Sequence, residues 1–308
     1  MVGLRYHVAS LAAVFVALAV GILLGVAISG RVSDASEGLE EADLRDDNAR
    51  LQQEAESARA EAEAALRRGE ASSELIARAY PALMEDRLLD QHVAVLFLGP
   101  ADGSLRAEIE GALADADGGA PSSVVALDVP LDGADLHAAL EGDELLAAYA
   151  EGEDDFSDLG RELGRELSTG TETPLWDALS TRLVEERLGV LTQPADSAVV
   201  VLTWQPPEGG EDGPETRATA SLLEGIVSGL DSTGIPVVGV AAAGDPPERV
   251  EFYRDQGLSS VDDVDSPAGR LALALLLAGA EPGHYGIGEQ ASDGVVPPVE
   301  PLPDDAGE

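Results

Sequence analysis

The side chains best suited by type and spacing to chemistry fall in two short stretches. The first is Asp262-Asp263-Val264-Asp265, three carboxylates in four positions. Such a run could ligate a hard cation loosely, and it reads equally well as a solvated face or a helix start. The acidic run at 151–155 has the same two readings. The second stretch is Gly99-Pro100-Ala101-Asp102-Gly103-Ser104, which follows the apolar run at 92–98. Loops between a strand and a helix commonly bind ligands in α/β folds, so Asp102 and Ser104 are the candidate ligand loop. The stretch is not G-x-G-x-x-G and lacks the Lys-Ser/Thr end of a phosphate loop, so it has no evident way to cradle a dinucleotide.

Soft-metal chemistry has little to work with. Cu(I) prefers thiolates and thioethers, whereas imidazole suits Cu(II) and zinc. The chain has no cysteine, two methionines (Met1, Met84) and four histidines (His7, His92, His137, His284), none at an H-x-H or H-x-x-x-H spacing. Taken singly, each histidine reads as a surface or core residue. Without cysteine, disulfides and thiol nucleophiles are excluded. There is no G-x-S-x-G, and no histidine falls in a strand-to-helix loop that would bring it near a serine. An enzyme is therefore not expected, and neither is a resident cofactor.

The elements that must position these residues begin with a membrane segment. Residues 8–28 carry no charged side chain. As a helix they would be about 32 Å long, close to the thickness of a hydrocarbon core. Arg5 and the terminal amine favour a cytoplasmic N-terminus, with the bulk of the chain outside the cytoplasm. A cleaved signal peptide with a poor site at Ala27-Ile28-Ser29 is the competing reading. Ala17, Gly21 and Gly25 line one face at small-xxx-small spacing, suited to close packing of two membrane helices.

Residues 32–71 form the next block. From 37 to 68 the chain lacks proline and is dense in Glu, Ala, Arg and Leu. Leu44, Asn48, Leu51, Ala55, Ala58, Ala62 and Ala65 alternate by four and three, the spacing of a coiled-coil seam. The alanines make that seam weak, so a coiled-coil stalk and a long solvated helix both fit. Either would carry a soluble domain away from the bilayer, and the seam makes a homo-oligomer through membrane helix and stalk the expected assembly.

Residues 72–288 read as α/β. A helix over 72–90 should end or kink at Tyr80-Pro81. Apolar runs at 92–98, 123–127, 198–203 and 235–241, with a short edge strand at 258–261, alternate with helical patterns. That implies a mainly parallel, Rossmann-like sheet covered on both faces. The segment 134–188 reads as a helical insertion, with Leu159, Leu163 and Leu167 on one face and Leu175, Leu179 and Leu183 on another. Ser266-Pro267 marks a helix start, and the apolar 271–280 is too short to span a bilayer. Composition makes 289–308 a disordered acidic, proline-rich tail.

Charge narrows the partners. Asp and Glu number 59 against 18 basic residues, all arginine, for a net charge of −41. Such a surface repels nucleic acid. The runs of about ten alternating residues needed for a β-barrel are missing, so the chain alone makes no barrel pore.

The opening MVGLRYHVASLAAVFVALAVGILLG, residues 1–25, closely resembles that of the actinobacterial copper transport protein family typified by the mycobacterial MctB. The stretch from Ser260 to Leu271 (SVDDVDSPAGRL), the sequence Gly283-His284-Tyr285-Gly286 and the turn Tyr80-Pro81-Ala82-Leu83 also fit it. The resemblance implies an opening helix, a short coiled stalk and an α/β domain. It further implies a cell-envelope protein that limits intracellular copper, described in the family as an outer-membrane transport or channel component. Copper would then be the transported ion. With so few soft ligands and no barrel strands, transport must lie in an assembly. His284 and Asp265 sit in the most distinctive motif and are the first residues to test as metal ligands. The rival expectations are an envelope scaffold that handles no metal, and a small-ligand receptor or enzyme using the loop around Asp102 and Ser104.

Overall fold

The computed structural model describes residues 17–18, 37–150, 155–170, 172–191, 193–207, 210 and 213–299. The expected membrane span, with Gly21 and Gly25, lies outside them except for Ala17 and Leu18, which are helical. Among the described residues no helix is long and apolar enough to cross a membrane. The chain divides into two units, Met1–Ala71 and Ser72–Glu308.

Helix α1 is Glu37–Met84, and its residues from Ser72 onward belong to the second unit. Its mean composition is polar, and Leu51 and Leu66 are exposed. The helix expected over 72–90, with an end or kink at Tyr80-Pro81, runs through Pro81 and ends at Met84. Only one turn follows the proline, and burial of Met84 and Leu88 in the core anchors that turn.

The second unit is built on a seven-stranded sheet of order β3-β2-β1-β4-β5-β6-β7. Strands β1 (Val93–Leu98), β2 (Ser123–Leu127), β4 (Ser197–Leu202) and β5 (Val237–Val240) are buried at every position. Strand β6 is Ser259–Val261 and β7 is His284–Tyr285. All these strands pair parallel. Their side chains alternate between two cores: Leu96, Val125 and Val200 enter one, Phe97, Val124 and Val201 the other. Covering both faces is what lets near-continuous Val/Leu runs stand as strands.

Strand β3 (Val184–Gly189) lies antiparallel to β2 at the sheet edge. It falls inside the segment read as helical, which is a correction. Its charged residues hid it, and each finds a partner: Glu185 accepts from the Ala101 amide, Glu186 pairs with Arg106, and Arg187 with Asp177. Charge on an edge strand also discourages pairing with another chain.

Helices α2 (Gly103–Asp115) and α8 (Pro267–Leu277) cover one face. The other carries α3 (Gly133–Gly142), α4 (Ser157–Thr169), α5 (Pro174–Leu183), α6 (Pro214–Asp231) and α7 (Pro247–Asp255). Helices α4 and α6 meet at Gly160 and Gly164 against Gly225 and Gly229. A Cβ at Gly164 would lie 2.1 Å from the Ile226 carbonyl oxygen, and one at Gly229 2.1 Å from that of Arg161. Backbone lies on backbone there.

The crossover β6–α8–β7 departs from its neighbours. It continues in the direction of β4–α6–β5 and β5–α7–β6, but α8 lies on the opposite face from α6 and α7. Its hand is therefore opposite to theirs, a rare arrangement for parallel strands. The short β7 is held by contacts outside the ladder. Residues 289–299, read as the start of a disordered tail, supply several of them, which is a second correction. Gly294 bridges Tyr285, Gly286 N–H donates to Gly294 O, and Arg254 binds Gln290. Residues 300–308 lie outside the described residues.

Candidate functional site: the carboxyl edge of β5, β6 and β7

The strand order reverses between β1 and β4, where open α/β sheets usually leave a ligand crevice. Here the two loops close over that point. A Cβ at Gly99 would stand 2.6 Å from the Trp204 nitrogen, and the Trp204 amide donates to Leu98 O at 2.9 Å. Asp102 caps α2: its Oδ1 accepts from Ser104 N (2.9 Å), Leu105 N (3.1 Å) and Ser104 Oγ (2.6 Å). The Ser104 hydroxyl, aided by the Leu105 amide, holds this carboxyl below its usual range. Asp102 and Ser104 thus bond each other and the first turn of α2.

An open cavity of about 420 Å³ lies instead at the carboxyl ends of β5 and β6. It is bounded by the β5–α7 loop (Ala241 to Asp245), by Pro247 and Val250 of α7, by Asp262, and by the turn from Ile287 to Gln290. Its framework is the acidic motif that follows β6. Asp262 is 9% exposed and receives Ile287 N on Oδ1 (2.9 Å) and Gly288 N on Oδ2 (3.0 Å). Gly286 has φ 142°, and a Cβ there would fall 1.7 Å from Asp262 Oδ1, so only glycine fits. Asp265 accepts from Ala243 N at 2.7 Å, tying the β6 loop to the β5 loop.

Asp263 is fully buried. Its Oδ2 accepts from Ser266 Oγ at 2.7 Å, and Ser266 in turn caps α8 by accepting from Gly269 N. Its Oδ1 is buried without a hydrogen-bond partner. Burial pushes this carboxyl up to about 6, helped by neighbouring Asp262 and Asp265 and opposed by the Ser266 bond. His284 lies on β7, with Nδ1 3.0 Å from Ser260 Oγ and its amide donating to Asp293. Burial, seconded by Arg254, draws its imidazole below the usual value. Asp265 and His284 therefore serve different partners. Among the described residues no group of three or more His, Asp or Glu side chains is placed to hold a metal ion.

The distinctive stretches also meet on the other face of the sheet. Arg270, in the Ser260–Leu271 motif, binds Glu108 and lies 3.7 Å from Asp115 on α2. Tyr80, from the Tyr80-Pro81 turn, donates to the same Asp115 at 2.8 Å. Burial first, then Asp115, raises the Tyr80 phenol, so it remains a donor.

The sequence matches the model of the family described as "Copper transport outer membrane protein, MctB" over residues 1–297. The chain belongs to this family. No individually curated protein matches it. The match takes in the opening segment, the α1 region and all seven strands of the sheet, so membership in a copper-transport family rests on nearly the full chain. Sequence reasoning found the acidic motif and the G-H-Y-G stretch. It missed that Asp262 is the bracket between them, and the signal was there: a carboxylate run and a glycine-rich turn that could receive it.

Proposed function

We propose that the protein contributes to copper efflux and copper homeostasis at the cell envelope, as a membrane-anchored oligomer. The observation that carries this reading is the family match, which begins at residue 1 and so includes the apolar 8–28 segment. With no cysteine and only two methionines in the chain, soft copper ligands are too few for one protomer to form a pathway. Transport by the assembly, with copper as cargo and no resident cofactor, is consistent with that. In this reading residues 8–28 span the bilayer once, with the N-terminus cytoplasmic and the sheet unit extracytoplasmic. Copies associate through the face of Ala17, Gly21 and Gly25 and through the α1 seam.

A second reading is favoured by a specific observation. The family-marking residues Tyr80, Asp262, Ser266 and Arg270 all bond within the sheet unit, which suits an envelope scaffold that binds a protein partner and handles no metal. Deleting the gene and measuring copper sensitivity and cell-associated copper separates the two. Efflux predicts a lower tolerated copper concentration and higher copper content, restored by the intact gene. Parental values for both would overturn it and leave the scaffold. Gly21→Ile with Gly25→Ile should reduce oligomer mass in detergent, and an unchanged mass would remove the membrane-helix face from the assembly.

A further inference from the structure

We propose that residues 44–68 of α1 pair with the same residues of one other copy, parallel and in register, so that the stalk joins two copies anchored in one membrane. The inference rests on the reading that copies associate through the α1 seam, and it adds the number, direction and register of the helices. Antiparallel helices would instead join copies from two facing membranes. Helix α1 is unbroken from Glu37 to Met84. Residues 49–63 are exposed at every position, Leu51 among them, so a surface that covers this length comes from another molecule.

The partner follows from the heptad. With Asn48 at position a, Leu44 and Leu51 fall at d, and the seam continues through alanines to Ala65 at d. Asn48 is the only asparagine in the chain. One asparagine at an a position selects two parallel helices in a single register, because only there does its amide meet its own copy. In an antiparallel pair a residues pack against d residues. Asn48 then faces alanine or leucine, and its amide is left without a partner, which is costly.

The flanking charges agree. Glu40, Asp47, Glu54 and Glu61 hold successive g positions, and Arg45 and Arg59 hold e positions. In a parallel pair each g residue faces the e residue five places on in the other helix. Glu40 then meets Arg45 and Glu54 meets Arg59, with no like pair. In an antiparallel pair g faces g, and acid meets acid. Arg59 is a separate sign of a missing partner. Arg50 and Arg67 each lie within 4 Å of an acid four residues away, Glu54 and Glu63. Arg59 is exposed and, among the described residues, pairs with no acid of its own chain, since Glu63 is taken by Arg67. Glu54 is held only at 3.9 Å by Arg50 and has room for a second donor. Exposed pairs contribute little each, so Asn48 and the charges choose the arrangement. Anchorage of both copies in one bilayer supplies the effective concentration that a weak seam requires.

The chain has no cysteine, so single cysteines in the full chain in detergent report neighbours cleanly. Leu51→Cys and Ala65→Cys place thiols at two d positions about 21 Å apart along the helix. An antiparallel pair can bring at most one of them to its own copy. Ala60→Cys, at the outward f position, is the control for random collision. The expected result is disulfide-linked dimer in both d variants, formed at least about tenfold faster than in Ala60→Cys. Arg59→Glu should slow the Ala65→Cys link, and adding Glu54→Arg should restore it. With the membrane-helix face blocked by Gly21→Ile and Gly25→Ile, light scattering should give the mass of two copies. A link in only one d variant, no preference over Ala60→Cys, no rescue by the charge exchange, or a mass of three or more copies would each overturn the proposal. Failure of the copper reading is seen separately, in the copper sensitivity of the deletion strain. Oligomers that persist without the d-position links would leave the membrane helix as the contact and remove only the stalk pairing.

Discussion

At the scale of single residues, several carboxylates of the sheet unit act on its own backbone. Asp102, Asp262 and Asp265 each receive amide donors, and Asp263 receives the Ser266 hydroxyl. Among the described residues only Asp263 is a fully buried carboxyl with an oxygen unserved, and burial pushes it up to about 6, well above the ordinary carboxylate range. The folded state therefore holds this proton more tightly than the unfolded chain does. That contribution to stability is full below about pH 4, is lost as pH rises through about 6, and is absent above. Asp263→Asn keeps an acceptor for Ser266 without the charge. The stability of the variant relative to wild type should therefore increase between pH 4 and pH 7, by on the order of 2 kcal/mol. Chemical denaturation of both proteins at the two pH values checks this. A difference that does not change with pH would mean that the Asp263 site tolerates the charge.

At the scale of elements, apolar strands and capped helices were legible in the sequence, and elements whose reason is a partner were not. The run SVVAL is β2 to the residue, and Asp102 caps α2 as its position before a helical pattern suggested. Strand β3 was hidden because Glu185, Glu186 and Arg187 are held in place by partners on other elements. Residues 289–299 were hidden because Asp293 and Gln290 read as tail composition until His284 and Arg254 are placed beside them. Glycine spacing also carried a contact that went unread in the sequence. Gly21 and Gly25 drew attention as a packing face, whereas the close glycine contact in the sheet unit joins Gly160 and Gly164 to Gly225 and Gly229. There, Gly164→Ala gains at most about 1 kcal/mol of helix propensity. It also sets a methyl against the Ile226 carbonyl, which cannot rotate away. The clash wins, and the expected net loss is about 3 kcal/mol, read as a lower denaturation midpoint. Equal stability would mean that α4 and α6 can separate cheaply. The seam of Tyr80, Asp115 and Arg270 makes a different prediction. Tyr80→Phe should cost about 1 kcal/mol and Arg270→Met about 1–2 kcal/mol. Because both act on Asp115, the double variant should depart from their sum. Strict additivity would mean that the two contacts are independent.

At the scale of the whole molecule the dominant fact is charge. With 59 acidic and 18 basic residues, the net charge is −41, and it stays uncompensated even where one arginine serves two carboxylates, as Arg106 does with Glu110 and Glu186. The ion pairs that do form are mostly exposed, such as Arg50 with Glu54 and Arg67 with Glu63 on α1, and exposed pairs contribute little. Salt therefore has two opposed effects: it weakens a few modest attractions and screens a large excess of repulsion. The excess decides the sign. Raising NaCl from about 10 mM to about 0.5 M shortens the screening length from about 30 Å to under 10 Å. The melting temperature of the sheet unit in the full chain should rise by several degrees, about 2–4 °C for each kcal/mol of repulsion removed. Most of that rise should come below about 0.2 M, where screening changes fastest, and flatten beyond it. A continuing linear rise would point to salting-out of apolar surface instead. A fall in melting temperature would mean that the surface ion pairs outweigh the uncompensated carboxylates.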